Sequence, residues 1–162
     1  MTNSHNQHAL RALMHEYDLA IQDLISLIHE LSNEELNIES PLETKDPDCL
    51  TVKTILEHIL RSGYGYINTI VKYLRLNTIM LQYEFPCSTA HDYSNELIKM
   101  SVYTEEKLHL IDDSMIQALE QQHKIRTTWG QYYDIEQLLE HAIVHVLRHR
   151  YQIEKYLVNA GN

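Results

Sequence analysis

The chain has 162 residues, of which 44% are apolar and 22% charged, a balance that suits one folded domain over residues 1–162 and excludes a disordered or fibrous chain. Thirteen basic against 23 acidic residues leave a net charge of −10. With no local Lys/Arg cluster to offset it, this charge argues against nucleic acid and anionic membranes as partners. Only four glycines and three prolines are available for turns, which favours a few long helices over a sheet.

The first predicted element runs from about Gln7 to Leu31, where Leu10, Leu13, Met14, Tyr17, Ala20, Ile21, Leu24, Ile25 and Ile28 repeat at three- and four-residue steps. Ser32 with Glu35 has the spacing of a capping box and opens a short extra turn. Asn37 to Leu50 holds two prolines and little periodicity, so it reads as a loop. A second helix is predicted from about Thr51 to Leu76, built on Val52, Ile55, Leu56, Ile59, Leu60, Ile67, Ile70, Val71 and Leu74. Asn77 to Ala90, which includes Pro86, is a connection. A less regular third helix spans about Asp92 to Ile111, with Leu97, Ile98, Met100, Val102, Leu108 and Leu110 as its apolar set. Ser114 to Tyr133 is ambiguous: Met115 to Leu119 fits a helix, and His123 to Tyr133 fits extended chain. Asp134, with Gln137 three residues on, opens a fourth helix that continues to about Val158, before Gly161.

Four such elements make an all-α four-helix bundle with long connecting loops. Cys49 and Cys87 lie far apart and form no close-spaced motif, which fits a reduced, cytoplasmic protein. The first residues lack the pattern of a signal peptide, and no apolar run approaches the length of a membrane span.

The histidines carry the chemistry. His141, His145 and His149 follow one another at four-residue steps, each about 40° further around the helix. His145 and His149 can therefore point at one centre, the spacing by which a helix offers two imidazoles to a metal. His141 and His149 diverge by about 80°, so all three are poorly placed to ligate together. The competing reading is a solvated row, or core histidines satisfied by carbonyls and carboxylates. His58 lies mid-helix among large aliphatics, with Ser62 and Gly65 following on its own face and leaving room beside the ring. Taken alone, His58 reads as a hydrogen-bonded core histidine.

Three segments together resemble one family. Thr51 to Ile59 (TVKTILEHI) resembles the "S-x-x-x-x-L-x-H-I" start of the second helix in the DinB/YfiT-like superfamily. His141 to Ile153 resembles its last-helix pattern "H-x-x-x-H-R-G-Q-I", and Leu31 to Leu36 its usual exit from the first helix. The likeness extends in order and spacing from about residue 8 to 158. It implies a four-helix bundle, often a homodimer, with a divalent metal on His58, His145 and His149, and His141 either behind the ligands or unrelated to them. Relatives include metal-dependent thiol transferases and an isomerase that uses a low-molecular-weight thiol; the family's DNA-damage-inducible namesake implies no contact with DNA. Tyr151 departs from the pattern, standing where glycine is usual, and this bears on packing or access at the site.

Three neutral imidazoles leave a divalent ion with open positions and undiminished charge, so that a bound water or thiol deprotonates more readily. In a thiol S-transferase the useful species is a thiolate at or beside the metal, attacking an electrophilic carbon of a small-molecule substrate. Zn, Ni and Fe all accept imidazole nitrogen. The expected function is thus a metal-dependent thiol S-transferase or hydrolase. The alternative is a non-catalytic helical domain with a structural or vestigial metal site. Glu57 and Glu140 adjoin the histidines but point about 100° away. Tyr64, Tyr66, Trp129 and Tyr151 are candidates for a pocket wall or for core. Arg148 and Arg150 are candidates for a substrate carboxylate or for surface ion pairs.

Overall fold

The structure is a computed structural model that describes residues 5–81, 86–112, 114–116 and 124–161. Helix α1 (His5–Ile28) is followed by the single turn α2 (Asn33–Leu36), a 3-10 turn (Pro47–Cys49), α3 (Val52–Tyr73) and α4 (Ala90–Leu108). A two-stranded antiparallel hairpin, β1 (Ile125–Arg126) and β2 (Tyr132–Tyr133), then precedes the last helix, α5 (Ile135–Ala160). The expected all-α four-helix bundle is therefore present. The extended reading of His123 to Tyr133 is met by the short hairpin, although His123 lies outside the described residues. Of the segment Met115 to Leu119, Met115 and Ile116 are helical and the rest also lies outside them.

Local chemistry explains where the helices start. Four of them open on capping boxes, in which a side-chain oxygen accepts the third residue's N–H and that residue's side chain returns to the cap N–H. The pairs are Ser32 with Glu35, Thr51 with Thr54, Thr89 with Asp92, and Asp134 with Gln137. Reciprocal use of two threonines at α3 lacks the usual acidic partner, and that cap was not legible beforehand. Helix α3 ends in a Schellman-type cap, with Leu76 N–H donating to Val71 O and Arg75 N–H to Lys72 O. Arg75 occupies the left-handed position there, at φ 52°.

Around the bundle, α1 packs on α4 and α5, and α3 packs on the same two helices. The cyclic order is therefore α1, α4, α3, α5. Chain-order neighbours α1 and α3 face each other across a diagonal, as do α4 and α5, so the segments joining them must cross an end of the bundle. This geometry accounts for the long connections. The core is one cluster in which Ile21, Leu24 and Ile28 of α1 meet Ile55, Leu56, Ile59, Leu60, Ile67 and Ile70 of α3. Helix α4 departs from its expected face: Ile98, Val102 and Leu110 are 48–50% exposed, and the buried side is formed by Tyr93, Leu97, Met100, Tyr103 and Leu108. Two buried tyrosines, absent from an aliphatic-only pattern, take the place of the missing aliphatics. Helices α1 and α4 crowd α3 at Gly63, where an added Cβ would stand 2.2 Å from Met100 Sδ and 2.9 Å from the Tyr17 hydroxyl.

Candidate metal centre

Helices α3 and α5 run antiparallel. His58 lies against His145 and His149, and Tyr66, about two turns later on α3, lies against His141 and His145. The ring centroids of His58, His145 and His149 are 4.5–5.0 Å apart, and one nitrogen from each lies within 4.8 Å of the other two. All three histidines singled out in the sequence meet at one point. His149 is completely buried, whereas His58 and His145 are half-buried and leave the cluster open on one side.

The outward-facing nitrogens explain why the inward ones are available. His58 Nδ1 lies 2.9 Å from Asp48 Oδ2, and His149 Nδ1 lies 2.9 Å from Gln152 Oε1. Carboxylate and amide oxygens only accept, so each Nδ1 carries the hydrogen and each Nε2 presents a lone pair. The amide orientation of Gln152 is fixed independently. Its Nε2 donates to the Tyr156 hydroxyl at 3.0 Å, which in turn donates to the Cys49 carbonyl at 2.6 Å. Asp48 also receives Arg61. The 3-10 turn is therefore tied to His58 through Asp48 and to His149 through Cys49, Tyr156 and Gln152. Such outer partners fix imidazole orientation and raise ligand basicity.

Fit to a cation follows from the same geometry. His58 Nε2 and His145 Nε2 are 2.9 Å apart, a contact that either the Nε2–H tautomer of His145 or a shared cation satisfies. Burial first, then the nearby imidazoles and Arg148, pushes His145 down to about 3 and His149 down to about 4, so both rings are neutral near pH 7 and each can offer a nitrogen lone pair to a cation. A tetrahedral ion about 2.0–2.1 Å from each nitrogen needs nitrogens roughly 3.3 Å apart. The observed spacings, from 2.9 Å to at most 4.8 Å, bracket that value, so a divalent ion fits with side-chain adjustments under about an ångström.

His141 takes no part in the three-nitrogen cluster. It stacks on Trp129 at 5.0 Å and 21°, with Tyr66 and Tyr133 also in contact. The hairpin delivers Trp129 and Tyr133, and Gly130, at φ 89°, makes its turn. The rings form a row from the half-exposed Trp129 through His141 and Tyr66 to His145. Burial pushes the Tyr66 hydroxyl up to about 12, against the smaller opposing effects of Ser62 and Arg148.

The remaining candidates separate clearly. Tyr64 is core and donates to Glu96, and Glu57 accepts from the buried Tyr93. Glu140 is exposed. Tyr151 projects into solvent, 56% exposed, and Lys155 lies over its ring, so the bulk that replaces glycine does not enter the site. Arg150 pairs with Asp23 and Glu154. Arg148 remains at the cluster, its Nη2 3.4 Å from His149 Nε2. Sequence reasoning missed Asp48, Cys49, Gln152 and Tyr156. Gln152 and Tyr156 follow His149 at helical spacing and were findable, but Asp48 reaches His58 through a loop whose fold no periodicity reveals.

A separate cleft of about 750 Å³ runs between α1 and α4, lined by Leu10, Met14, Asp18, Ile98, Val102 and Glu105 among others. It lies on the α1–α4 side of the ring, opposite the α3–α5 seam that holds the histidines. Comparison with curated proteins and with solved structures yields no match. The DinB family's sequence model, by contrast, matches residues 1–162. With helical order, histidine placement and this match in agreement, the chain belongs to the DinB family.

Proposed function

We propose that the protein is a divalent-metal-dependent enzyme acting on small molecules, a thiol S-transferase or hydrolase, with His58, His145 and His149 as the metal ligands. The observation that carries this reading is the convergence of three imidazoles whose outer nitrogens, at His58 and His149, are held by Asp48 and Gln152. Zn, Ni or Fe(II) would supply Lewis acidity there, lowering the pKa of a bound thiol or water. The chain's own contributions can be stated separately. His149 is locked by Gln152, and His58 by Asp48, so little reorganisation is needed on loading. The half-buried side of His58 and His145 leaves an approach for a low-molecular-weight thiol and its electrophilic partner. The row from Trp129 to Tyr66 forms an apolar wall beside that approach and limits water near the reacting sulfur. All three ligands come from one chain, so a homodimer is not required to complete the site. The two cysteines are free, in keeping with a reducing, cytoplasmic setting.

The test is elemental analysis of untagged protein, alone and after addition of Zn, Ni or Fe(II). One equivalent per chain is expected, greatly reduced in His58→Ala and retained in His29→Ala, whose imidazole is exposed and remote in sequence. Less than about a tenth of an equivalent after metal addition removes the metal reading. Conjugation of thiols to electrophiles that persists unchanged after metal stripping removes the catalytic one.

A further inference from the structure

The metal reading leaves one strong charge near the site unexplained. Arg148 is exposed, yet its guanidinium lies 3.4 Å from His149 Nε2, the nitrogen that faces the cluster. Its charge is felt at His141, His145, His149, Tyr66 and Cys49. Among the described residues it forms no ion pair, although the chain carries 23 acidic residues against 13 basic. The nearby carboxylates have other partners: Asp48 takes His58 and Arg61, and Asp46 caps the 3-10 turn through Asp48 N–H. Arg150, two residues on, is directed away to Asp23 and Glu154.

Charge balance sharpens the point. A divalent ion on three neutral imidazoles brings two positive charges, and Arg148 and Arg61 bring one each, against the negative charges of Asp48 and Asp46. Loading also removes the lone pair toward which Arg148 Nη2 now points, because that pair becomes the metal bond. An exposed guanidinium is then free to turn to the open side of the ion. Guanidinium matches carboxylate with two parallel hydrogen bonds, a geometry that ammonium lacks.

We propose that Arg148 is the anchor for a carboxylate on the ligand that binds at the three-histidine centre, so that the small-molecule thiol used by this protein is a carboxylate-bearing one. The ligand would span the site with its sulfur at the metal and its carboxylate on Arg148. The inference rests on the metal and thiol reading above. Arg148 is here a binding residue, and no bond is made or broken at it.

Cobalt(II)-loaded protein provides the test, since sulfur binding to cobalt gives a charge-transfer absorption that can be titrated without any turnover. The probes are 3-mercaptopropionate and 2-mercaptoethanol, two small thiols that differ in their carboxylate. Wild type is expected to bind 3-mercaptopropionate at least about tenfold more tightly, the size of one or two charge-assisted hydrogen bonds. Arg148→Ala and Arg148→Gln should abolish that preference while leaving 2-mercaptoethanol affinity within about twofold. Arg148→Lys should restore part of it, and Arg150→Ala should leave it intact. Equal affinities in wild type, or a preference that survives Arg148→Ala, overturns the proposal while leaving the metal and thiol reading in place. Absence of cobalt uptake, or of the absorption with both thiols, instead sinks that underlying reading and this one with it.

Discussion

At the scale of single residues, the site depends on groups that do not themselves face the cation. A histidine whose outer nitrogen lacks an acceptor can rotate or change tautomer, and either change withdraws its Nε2 from the centre. Asp48→Asn and Gln152→Ala are therefore each expected to weaken metal affinity by about 10- to 100-fold without unfolding the protein. Competition titration against a chelator of known affinity measures this directly, with far-ultraviolet circular dichroism as the check on fold. Affinity unchanged in both variants would show that the two oxygens do not hold the rings. The sequence displayed the imidazoles because a four-residue repeat on one helix is a local pattern. Asp48 was hidden because its relation to His58 depends on the path of residues 37–51, where Ser40 N–H bonds Leu50 O and Val52 N–H bonds Ile38 O to close the loop on itself. No spacing rule encodes such a closure.

At the scale of elements, caps and close contacts decide where helices start and how near they come. Asp92 accepts from the Ser88 and Thr89 N–H groups and from the Ser88 hydroxyl. The backbone bond from Ser88, followed by the Thr89 bonds, holds its carboxyl down at about 2, against an ordinary 3.8. The folded value is the lower one, so the unfolded chain takes up the proton first as the medium becomes acid. The stabilisation is complete above about pH 4 and is lost as pH falls towards about 2. Comparing thermal midpoints of wild type and Asp92→Asn should give a gap that is constant near neutrality and closes across that window. A gap independent of pH would assign the difference to something other than this charge.

Gly63 poses the opposite problem, because the missing side chain is what allows contact. Alanine there gains up to about 1 kcal/mol of helix propensity but forces Met100, which is wholly buried, to move away from a Cβ that would stand only 2.2 Å from its sulfur. Overpacking of this kind costs about 1–3 kcal/mol, so the net effect of Gly63→Ala should be a loss of stability in urea titration. A more stable Gly63→Ala protein would mean that Met100 repacks freely. The glycine noticed from sequence was Gly65, chosen because it shares the face of His58; the one in tight contact is Gly63, which faces Tyr17 and Met100 instead. Periodicity gives the face of a helix but not the distance to its neighbours.

At the scale of the whole molecule, periodicity and composition were enough to reveal four helices, while the order in which they pack was not written in any one of them. That order follows from long-range burial, and it has a consequence for stability. His58 on α3 and His145 on α5 are 87 positions apart in the chain yet in contact in the fold. An ion held by both helices binds the folded state alone, and mass action then converts affinity into stability. At a free metal concentration of 100 times Kd the gain is about 2.7 kcal/mol. For a chain of this size that corresponds to a rise in Tm of roughly 5–10 °C. Scanning calorimetry with and without Zn, Ni or Fe(II) should show this rise for wild type, its reversal by chelator, and its absence in His58→Ala. The His29→Ala protein should respond as wild type does, because that ring bonds only within its own stretch of chain. A His58→Ala protein stabilised as much as wild type would place any bound metal elsewhere and separate α3 from the site.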